Sequence, residues 1–204
     1  MKNKVFVAAT NNPGKLKEID AVLRSAGYEV VSMKDAGVSC DPDETGKSFI
    51  ENALIKAKAI KELTPLAVIS DDSGLMVEAL GGLPGVYTAR YAGEDHDDEK
   101  NIDKLLEKLN GIPRKSRRAW FVSAIAALLP DERTFFATGR VKGYIGTERS
   151  GAKGFGYDPV FLFKGNRSFA ELTPETKNAV SHRGRALRKI GFMLREIERV
   201  RGLK

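Results

Sequence analysis

Cysteine is almost absent from this chain of 204 residues, since Cys40 is the only one. A single thiol forms neither an internal disulfide nor a thiolate cage, so a disulfide-stapled secreted domain and a structural zinc site are both excluded. The N-terminus runs through Lys4 into a strand-like stretch without the pattern of a signal peptide. The longest apolar stretch, Ala119 to Leu129, is too short to cross a bilayer. We therefore expect a cytoplasmic protein with no membrane partner.

Acidic residues are fewer than basic ones, with 27 Asp and Glu against 34 Lys and Arg, which gives a formal net charge of +7. This excess favours anionic partners such as nucleotides, other phosphates or nucleic acid. Much of it lies in Arg114 to Arg118 and in the last predicted helix. A solvated basic surface accounts for most of these charges.

Short apolar runs alternate with helical patterns, which predicts an α/β fold. Lys4 to Ala9 and Tyr28 to Met33 are predicted strands on either side of an amphipathic helix. Ala119 to Leu129 and Thr134 to Tyr144 flank a short polar turn and predict an antiparallel hairpin, so the sheet is expected to be mixed. Because no linker divides the chain, we expect a single domain over residues 1–204, built of two lobes.

Two adjacent carboxylates follow the predicted strand Leu66 to Ile69, in the segment Ser70-Asp71-Asp72-Ser73-Gly74. Neighbouring side chains on a strand point to opposite faces, so we expect one aspartate to be the working acid and the other its structural neighbour. The alternative is an Asx-turn in which both side chains bond the local backbone. In either case the sequence predicts a turn here, followed by a further short strand from Leu75 to Leu80.

The segment Thr10-Asn11-Asn12-Pro13-Gly14-Lys15 joins the first strand to the first helix. Such a loop places backbone N–H groups and a lysine beside a ligand, and phosphate suits that environment. A plain connecting loop explains the same residues equally well. The glycine spacing of a Walker A loop is missing.

Lys56 lies on the same predicted helix face as Ala53 and Ile60, in a helix that opens with the capping pattern Ser48 to Glu51. A lysine in line with core residues either extends along the surface to water or reaches a site. In the second case, the site would hold Glu44, Asp72 or a phosphate. An acidic segment at residues 94–99 precedes the next predicted helix, and we interpret it as N-terminal helix charge rather than a metal site.

The last third contains two further signals. Phe155-Gly156-Tyr157-Asp158 sets aromatic rings among glycines, and aromatic faces stack on nucleobases. A packed hairpin loop explains that segment equally well. His182 and Arg183 lie near the start of the final amphipathic helix, where the planar fork of an arginine suits the reading of a carbonyl group.

The chain contains five motifs in a fixed order: Thr10 to Lys15; Glu44-Thr45-Gly46 with Ser48-Phe49 and Glu51-Asn52-Ala53; Ser70 to Gly74; Phe155 to Asp158; and Ser181-His182-Arg183. Over about residues 5–190, these motifs resemble those of the inosine triphosphate pyrophosphatase family. The resemblance implies hydrolysis of non-standard purine nucleoside triphosphates (ITP, dITP, XTP and dXTP) to the monophosphate and pyrophosphate. It also implies an elongated mixed α/β fold with the active site in a cleft between two lobes, and a homodimer.

The resemblance also implies a role for each matching residue. Asp72 would be the general base and a magnesium ligand, with Glu44 as a second metal ligand. Carboxylates without Cys or His clusters suit Mg2+, with Mn2+ as a possible substitute. The remaining assignments are phosphate and sugar binding by Thr10, Asn11, Asn12, Pro13, Gly14, Lys15 and Ser73; charge near the triphosphate from Lys56 and Lys177; base binding by Phe155, Gly156, Tyr157 and Asp158; and base reading by His182 and Arg183.

Two other functions fit parts of the sequence. One is a pyrophosphatase of related fold that cleaves pyrimidine nucleoside triphosphates. The other is a basic nucleic-acid-binding module that uses Arg114 to Arg118 and the last helix on phosphates. The purine nucleotide pyrophosphatase that the five motifs imply requires no nucleic acid.

Overall fold

A computed structural model describes residues 4–93 and 96–202. Of the acidic segment at 94–99, Glu94 and Asp95 lie outside these described residues. Short 3-10 turns join several of the elements, including one at Gly85–Arg90. The strands and helices, in chain order, are β1 (Val5–Ala8), α1 (Pro13–Ser25), β2 (Glu29–Ser32), α2 (Phe49–Lys61), β3 (Ala67–Val77), α3 (Asp98–Lys108), β4 (Arg118–Leu128), β5 (Thr134–Ile145), β6 (Phe161–Leu162), α4 (Pro174–Val180) and α5 (His182–Gly202).

The strands form one six-stranded sheet in the order β2-β1-β3-β4-β5-β6. β1 runs parallel to both β2 and β3, whereas β6 runs antiparallel to β5. β4 and β5 are neighbours joined only by residues 129–133, a connection that is long enough for antiparallel strands and too short for parallel ones. The predicted mixed α/β sheet is therefore confirmed.

β3 is one continuous strand, where the sequence predicted a strand, a turn and a second strand. It passes through Asp71 and Asp72 to Val77, and Glu78–Leu80 forms a 3-10 turn rather than a strand. The predicted turn is wrong, but the predicted alternation of the two aspartates is right. The polar segment stays extended because its side chains find partners beyond the strand. The Ser70 hydroxyl donates to the Ala53 carbonyl in α2, and the Ser123 hydroxyl of β4 donates to Asp71.

The chain forms two compact units. Among the described residues, the first comprises 4–72, 123–139 and 182–202, and the second comprises 73–93, 96–122 and 140–181. The second unit has its own core, which includes Leu75, Ile102, Phe121, Phe161 and Phe169.

The first unit has an apolar cluster on each face of its strands. One cluster combines Ile69 with residues of α1 and α5, and the other combines Val68 with residues of α2. Because side chains alternate along β3, Asp71 shares the face of Ile69 and Asp72 shares the face of Val68. The packing of three helices thus decides which groups each aspartate meets.

Local capping explains where the helices begin. The Asn12 side chain accepts a hydrogen bond from the Lys15 N–H at the start of α1, and the Ser48 hydroxyl accepts one from the Glu51 N–H at the start of α2. Asp97 accepts from the N–H groups of Glu99 and Lys100 at the start of α3, so the interpretation of the acidic segment as helix N-terminal charge is confirmed for Asp97. In the described part of the chain, no helix combines the length and the apolarity that a membrane span needs.

Candidate active site

Lys56 connects two carboxylates in the first unit. Its ammonium lies 2.9 Å from Glu44 Oε1 and 3.5 Å from Asp72 Oδ1, and its side chain is 13% exposed. The sequence left open whether Lys56 extends to water or reaches a site, and the structure shows that it reaches Glu44 and Asp72. Burial lowers the pKa of Lys56, but the two carboxylates outweigh burial and raise it.

Asp72 keeps one carboxylate oxygen uncommitted. Its Oδ2 is buried and has no hydrogen-bond partner among the residues that the structure describes. Burial raises the pKa of Asp72; Lys56 and Lys15 oppose that rise, and Glu44 adds to it. A buried carboxylate with an open oxygen and a raised pKa has the properties of a general base or a cation ligand.

Glu44 is held near α2 by a turn that only glycine fits. The Gly46 N–H donates to Asn52 Oδ1 at 2.7 Å, and a Cβ on Gly46 would lie 2.5 Å from that oxygen and 2.7 Å from the Glu51 Cβ. The Lys47 N–H donates to Glu51 at 2.6 Å. The side chains of the first turn of α2 therefore anchor the segment that carries Glu44.

Asp71 has a different environment on the opposite face of β3. It accepts from the Ser123 hydroxyl at 2.6 Å and forms ion pairs with Lys15 Nζ and Arg183 Nη2, both at 3.1 Å. Arg183 also pairs with Glu18. Burial would raise the pKa of Asp71, but the two cations and the hydroxyl group hold it well below its usual range. Asp71 is thus a permanently charged structural anchor.

The same cluster sets the pKa values of its cations. Burial lowers the pKa of Lys15, and the attraction of Asp71 only partly offsets this effect. Arg183 has 1% of its surface exposed, and burial acts against its charge. Asp71 and Glu18 outweigh burial and raise the pKa of Arg183. The cluster therefore favours the charged form of Arg183 and disfavours that of Lys15.

Three residues of this site were missed by the sequence reasoning. Ser123 carried a usable signal, because it is the single polar residue in the apolar run from Ala119 to Leu129. Glu18 carried no such signal, since nothing in the sequence distinguishes it from other charged residues of the predicted first helix. Gly139 of β5 lets the start of α5 approach closely: a Cβ there would lie 2.1 Å from the His182 carbonyl oxygen.

The loop from Thr10 to Lys15 forms the N-terminal end of α1 in the first unit. The Thr10 hydroxyl accepts from the Asn12 N–H at 3.1 Å, while Asn11 and Pro13 are exposed and Gly14 is half-buried. His182 is buried as the first residue of α5. These residues share the first unit with Asp72, Glu44 and Lys56.

Phe155, Asp158 and Lys177 form a second cluster, which belongs to the second unit. The buried Asp158 accepts from the Phe155 N–H at 3.0 Å and pairs with Lys177, whose ammonium lies 4.5 Å from the centroid of the Phe155 ring. Gly154 is required here, because its φ is +79° and a Cβ would lie 2.0 Å from an Asp158 oxygen.

Tyr157 and Gly156 tie this loop to the rest of the second unit. Tyr157 is buried in the core and donates its hydroxyl to the Thr88 carbonyl at 3.0 Å. The Gly156 N–H donates to Asp98 at 2.8 Å. Ser73, half-buried on β3, is in the second unit as well. The predicted site residues thus divide between the two units.

The chemistry of the first-unit cluster fits a hard divalent cation. The described residues contain no group of three or more His, Cys, Asp or Glu side chains that could hold a metal alone. Mg2+ is commonly bound through one or two carboxylates, with phosphate and water oxygens completing its shell. Glu44 and Asp72 provide two such carboxylates.

Comparison with known proteins places the chain in a family. The model of the Ham1 family matches residues 6–192. The chain belongs to the Ham1 family. The family resemblance predicted from the five motifs is therefore confirmed.

Named relatives of this Ham1-family chain match nearly end to end. The dITP/XTP pyrophosphatase of Bacillus subtilis is 47% identical over 192 residues, which cover 94% of this chain and 97% of the relative. The protein of the same name from Geobacillus kaustophilus is 47% identical over 195 residues, which cover 95% and 96%. The solved Ham1 protein of Staphylococcus aureus has a TM-score of 0.82 at 40% identity and covers 95% of this chain and 99% of its own.

Proposed function

We propose that this Ham1-family chain is a dITP/XTP pyrophosphatase, which hydrolyses ITP, dITP, XTP and dXTP to the nucleoside monophosphate and pyrophosphate and so cleanses the nucleotide pool. The names of its relatives support a hydrolase acting on nucleoside triphosphates. The observation that carries the proposal is the Asp72 carboxylate, buried beside Lys56 and Glu44 with one open oxygen.

In this mechanism, Asp72 accepts the proton of the attacking water at Oδ2. Its raised pKa suits that role, because a base works best when its pKa approaches the working pH. Lys56 and Lys15 offset negative charge that develops on the departing pyrophosphate. Asp72 and Glu44 would hold Mg2+, which when bound supplies positive charge at the triphosphate and lowers the pKa of a coordinated water.

The family resemblance assigns the base to Phe155, Gly156, Tyr157 and Asp158, and its reading to His182 and Arg183. The Phe155 ring offers an aromatic face, which Lys177 and Asp158 hold in place. Arg and His donors complement the 6-carbonyl of hypoxanthine or xanthine, whereas the 6-amino group of adenine leaves donors facing donors. Such a mismatch can discriminate by a factor on the order of 10^4.

We also propose from the resemblance that the protein is a cytoplasmic homodimer, that it uses Mg2+ with Mn2+ as a substitute, and that hydrolysis requires no nucleic acid. Light scattering coupled to size exclusion tests the dimer, and a monomer at micromolar concentration would refute it. Chelation with EDTA should abolish turnover, and added Mg2+ should restore it. Full activity in EDTA would refute the metal requirement.

A substrate panel with product identification tests the proposed activity. ITP, XTP, dITP, GTP, ATP and dTTP are each incubated with the protein and Mg2+, and pyrophosphate is distinguished from orthophosphate. We expect fast pyrophosphate release from the first three only. Preferential turnover of dTTP would favour the pyrimidine enzyme, and orthophosphate release or equal rates on ATP would overturn the proposal.

Asp72→Asn tests the general base directly. It should abolish turnover while thermal unfolding and nucleotide binding stay close to those of the parent protein. Asp43→Asn is the matched control, because Asp43 is an exposed aspartate in the same unit and one residue from Glu44. Substantial residual activity in Asp72→Asn would remove Asp72 from the role of base.

A further inference from the structure

We infer that the exposed face of α5 is a binding surface for single-stranded nucleic acid. This inference does not depend on the proposed hydrolysis. Residues 184–195 contain four basic side chains and no acidic one. With 3.6 residues per turn, positions separated by three, four or seven residues share one helix face. Arg185, Arg188, Lys189, Phe192 and Arg195 are spaced in this way, and all are exposed.

The opposite face of α5 is fully used by the protein core. Ala186, Leu187, Ile190 and Leu194 are all buried in the cluster that also contains residues of α1. The exposed face therefore cannot turn over to insert apolar side chains into a lipid surface, which is how a basic amphipathic helix binds membranes. A phosphate-rich partner fits this basic face better than a bilayer does.

Phe192 lies within the row of cations. It is 59% exposed, the largest value among the exposed large apolar side chains of the described residues. On the helix its neighbours are Arg188 and Lys189 on one side and Arg195 on the other, at spacings of three and four residues. An exposed ring among cations is the arrangement that binds single strands, because bases stack on the ring while the cations meet phosphates.

The cations of this face lie in the N-terminal two thirds of α5. Arg185 and Arg188 are three residues apart on α5 and therefore neighbours on one helix face. Partial burial and the nearby charge of Arg185 both lower the pKa of Arg188. Lys189 donates to the Thr138 carbonyl of β5 at 2.7 Å, which places the surface beside that strand, where Phe136 is also exposed. Positions 185 to 195 span about 15 Å at 1.5 Å per residue, enough to follow a few nucleotides.

Fluorescence anisotropy of a labelled oligo(dT) of about 15 nucleotides, within the range of known single-strand sites, tests the inference on the full chain. For three phosphate contacts, the logarithm of the binding constant should fall with that of the salt concentration at a slope of about −2. The triple variant Arg185→Gln, Arg188→Gln, Arg195→Gln should lose most of the binding and most of the slope. Its thermal unfolding midpoint, compared with that of the parent protein, reports whether the fold is intact.

A matched triple variant, Lys17→Gln, Lys34→Gln, Lys58→Gln, removes the same charge from exposed positions elsewhere in the first unit. It should change binding by less than about twofold, since salt screens distant charges. Phe192→Ala should weaken binding by at least about fivefold through loss of stacking on one base. Leu63→Ala, which truncates another exposed apolar residue, should have no effect.

Four results would overturn the inference. These are absence of oligonucleotide binding, equal weakening by the two triple variants, an unaltered affinity in Phe192→Ala, and binding to phosphatidylserine vesicles without binding to the oligonucleotide. The second would show diffuse electrostatic attraction, and the last would show a lipid-binding surface. Weakening confined to the α5 variants, with the salt slope reduced, would support it.

Discussion

Replacing Asp71 by asparagine should destabilise the fold far more than the same replacement at Asp72. Asp71 is fully buried and lies 3.1 Å from both Lys15 and Arg183. The substitution leaves the buried Arg183 and the largely buried Lys15 facing a neutral amide. Breaking a buried ion pair in this way costs about 3–5 kcal/mol, because the remaining charge stays desolvated.

Because of Glu18, the expected cost of Asp71→Asn lies at the lower end of that range. It still pairs with Arg183 when Asp71 is neutralised, so one of the two cations keeps a carboxylate partner. A loss of about 3 kcal/mol is therefore expected. For a chain of this size, each kcal/mol shifts the unfolding midpoint by about 2–4 °C, which predicts a decrease of about 6–12 °C. Asp72→Asn removes a carboxylate whose pKa is raised by burial, so its midpoint should change little.

Thermal unfolding at pH 7, followed by far-ultraviolet circular dichroism, measures the unfolding midpoint of both variants. The pH dependence adds a second test. The pKa of Asp71 is lowered by folding, so its stabilisation is present above the pKa of the unfolded carboxyl, near 4, and is lost progressively below it. The gap between parent and Asp71→Asn should therefore narrow as the pH falls from about 5 to 3. Equal midpoints for Asp71→Asn and Asp72→Asn at pH 7 would refute the division of roles.

Three further predictions follow from single contacts. Lys56→Met should lower kcat by about 100-fold. Because Lys56 lowers the pKa of Asp72, the acid limb of the pH–rate profile should also move to higher pH in this variant. An acid limb at the same pH as in the parent protein would contradict this. Gly46→Ala should raise the Mg2+ concentration needed for half-maximal activity, since a Cβ displaces the turn that carries Glu44; metal titration checks it. Arg117→Met should lower the free energy of unfolding by about 3 kcal/mol, because Arg117 donates to three main-chain carbonyls that then lose a donor. The exposed Arg118→Met is its control in thermal unfolding, and equal midpoints would contradict the prediction.

The sequence predicted the features that depend on local pattern. Period-two and period-3.6 spacing gave the strands β1 and β2, the helices α1, α2 and α3, and the mixed sheet. Capping by Asn12, Ser48 and Asp97 follows from the preference of these residue types for helix N-termini. The continuity of β3 could not be predicted, because Ser-Asp-Asp-Ser-Gly has the composition of a turn and stays extended only through partners on other elements.

The roles of the two aspartates show why the rest of the site lies beyond sequence reasoning. Alternation along a strand establishes that Asp71 and Asp72 face opposite ways, but it does not say which face holds the cations. That depends on Lys15 and Arg183, which are 56 and 112 positions away from Asp71 in the chain. Where two cations and a hydroxyl group surround a carboxylate, it stays charged and fixed; where one lysine is shared and one oxygen is open, it can exchange a proton. The chemistry of each aspartate is therefore set by the helices that pack on β3. A comparison of the two variants tests this, because Asp71→Asn should lower the stability of the fold and Asp72→Asn should lower the rate of turnover.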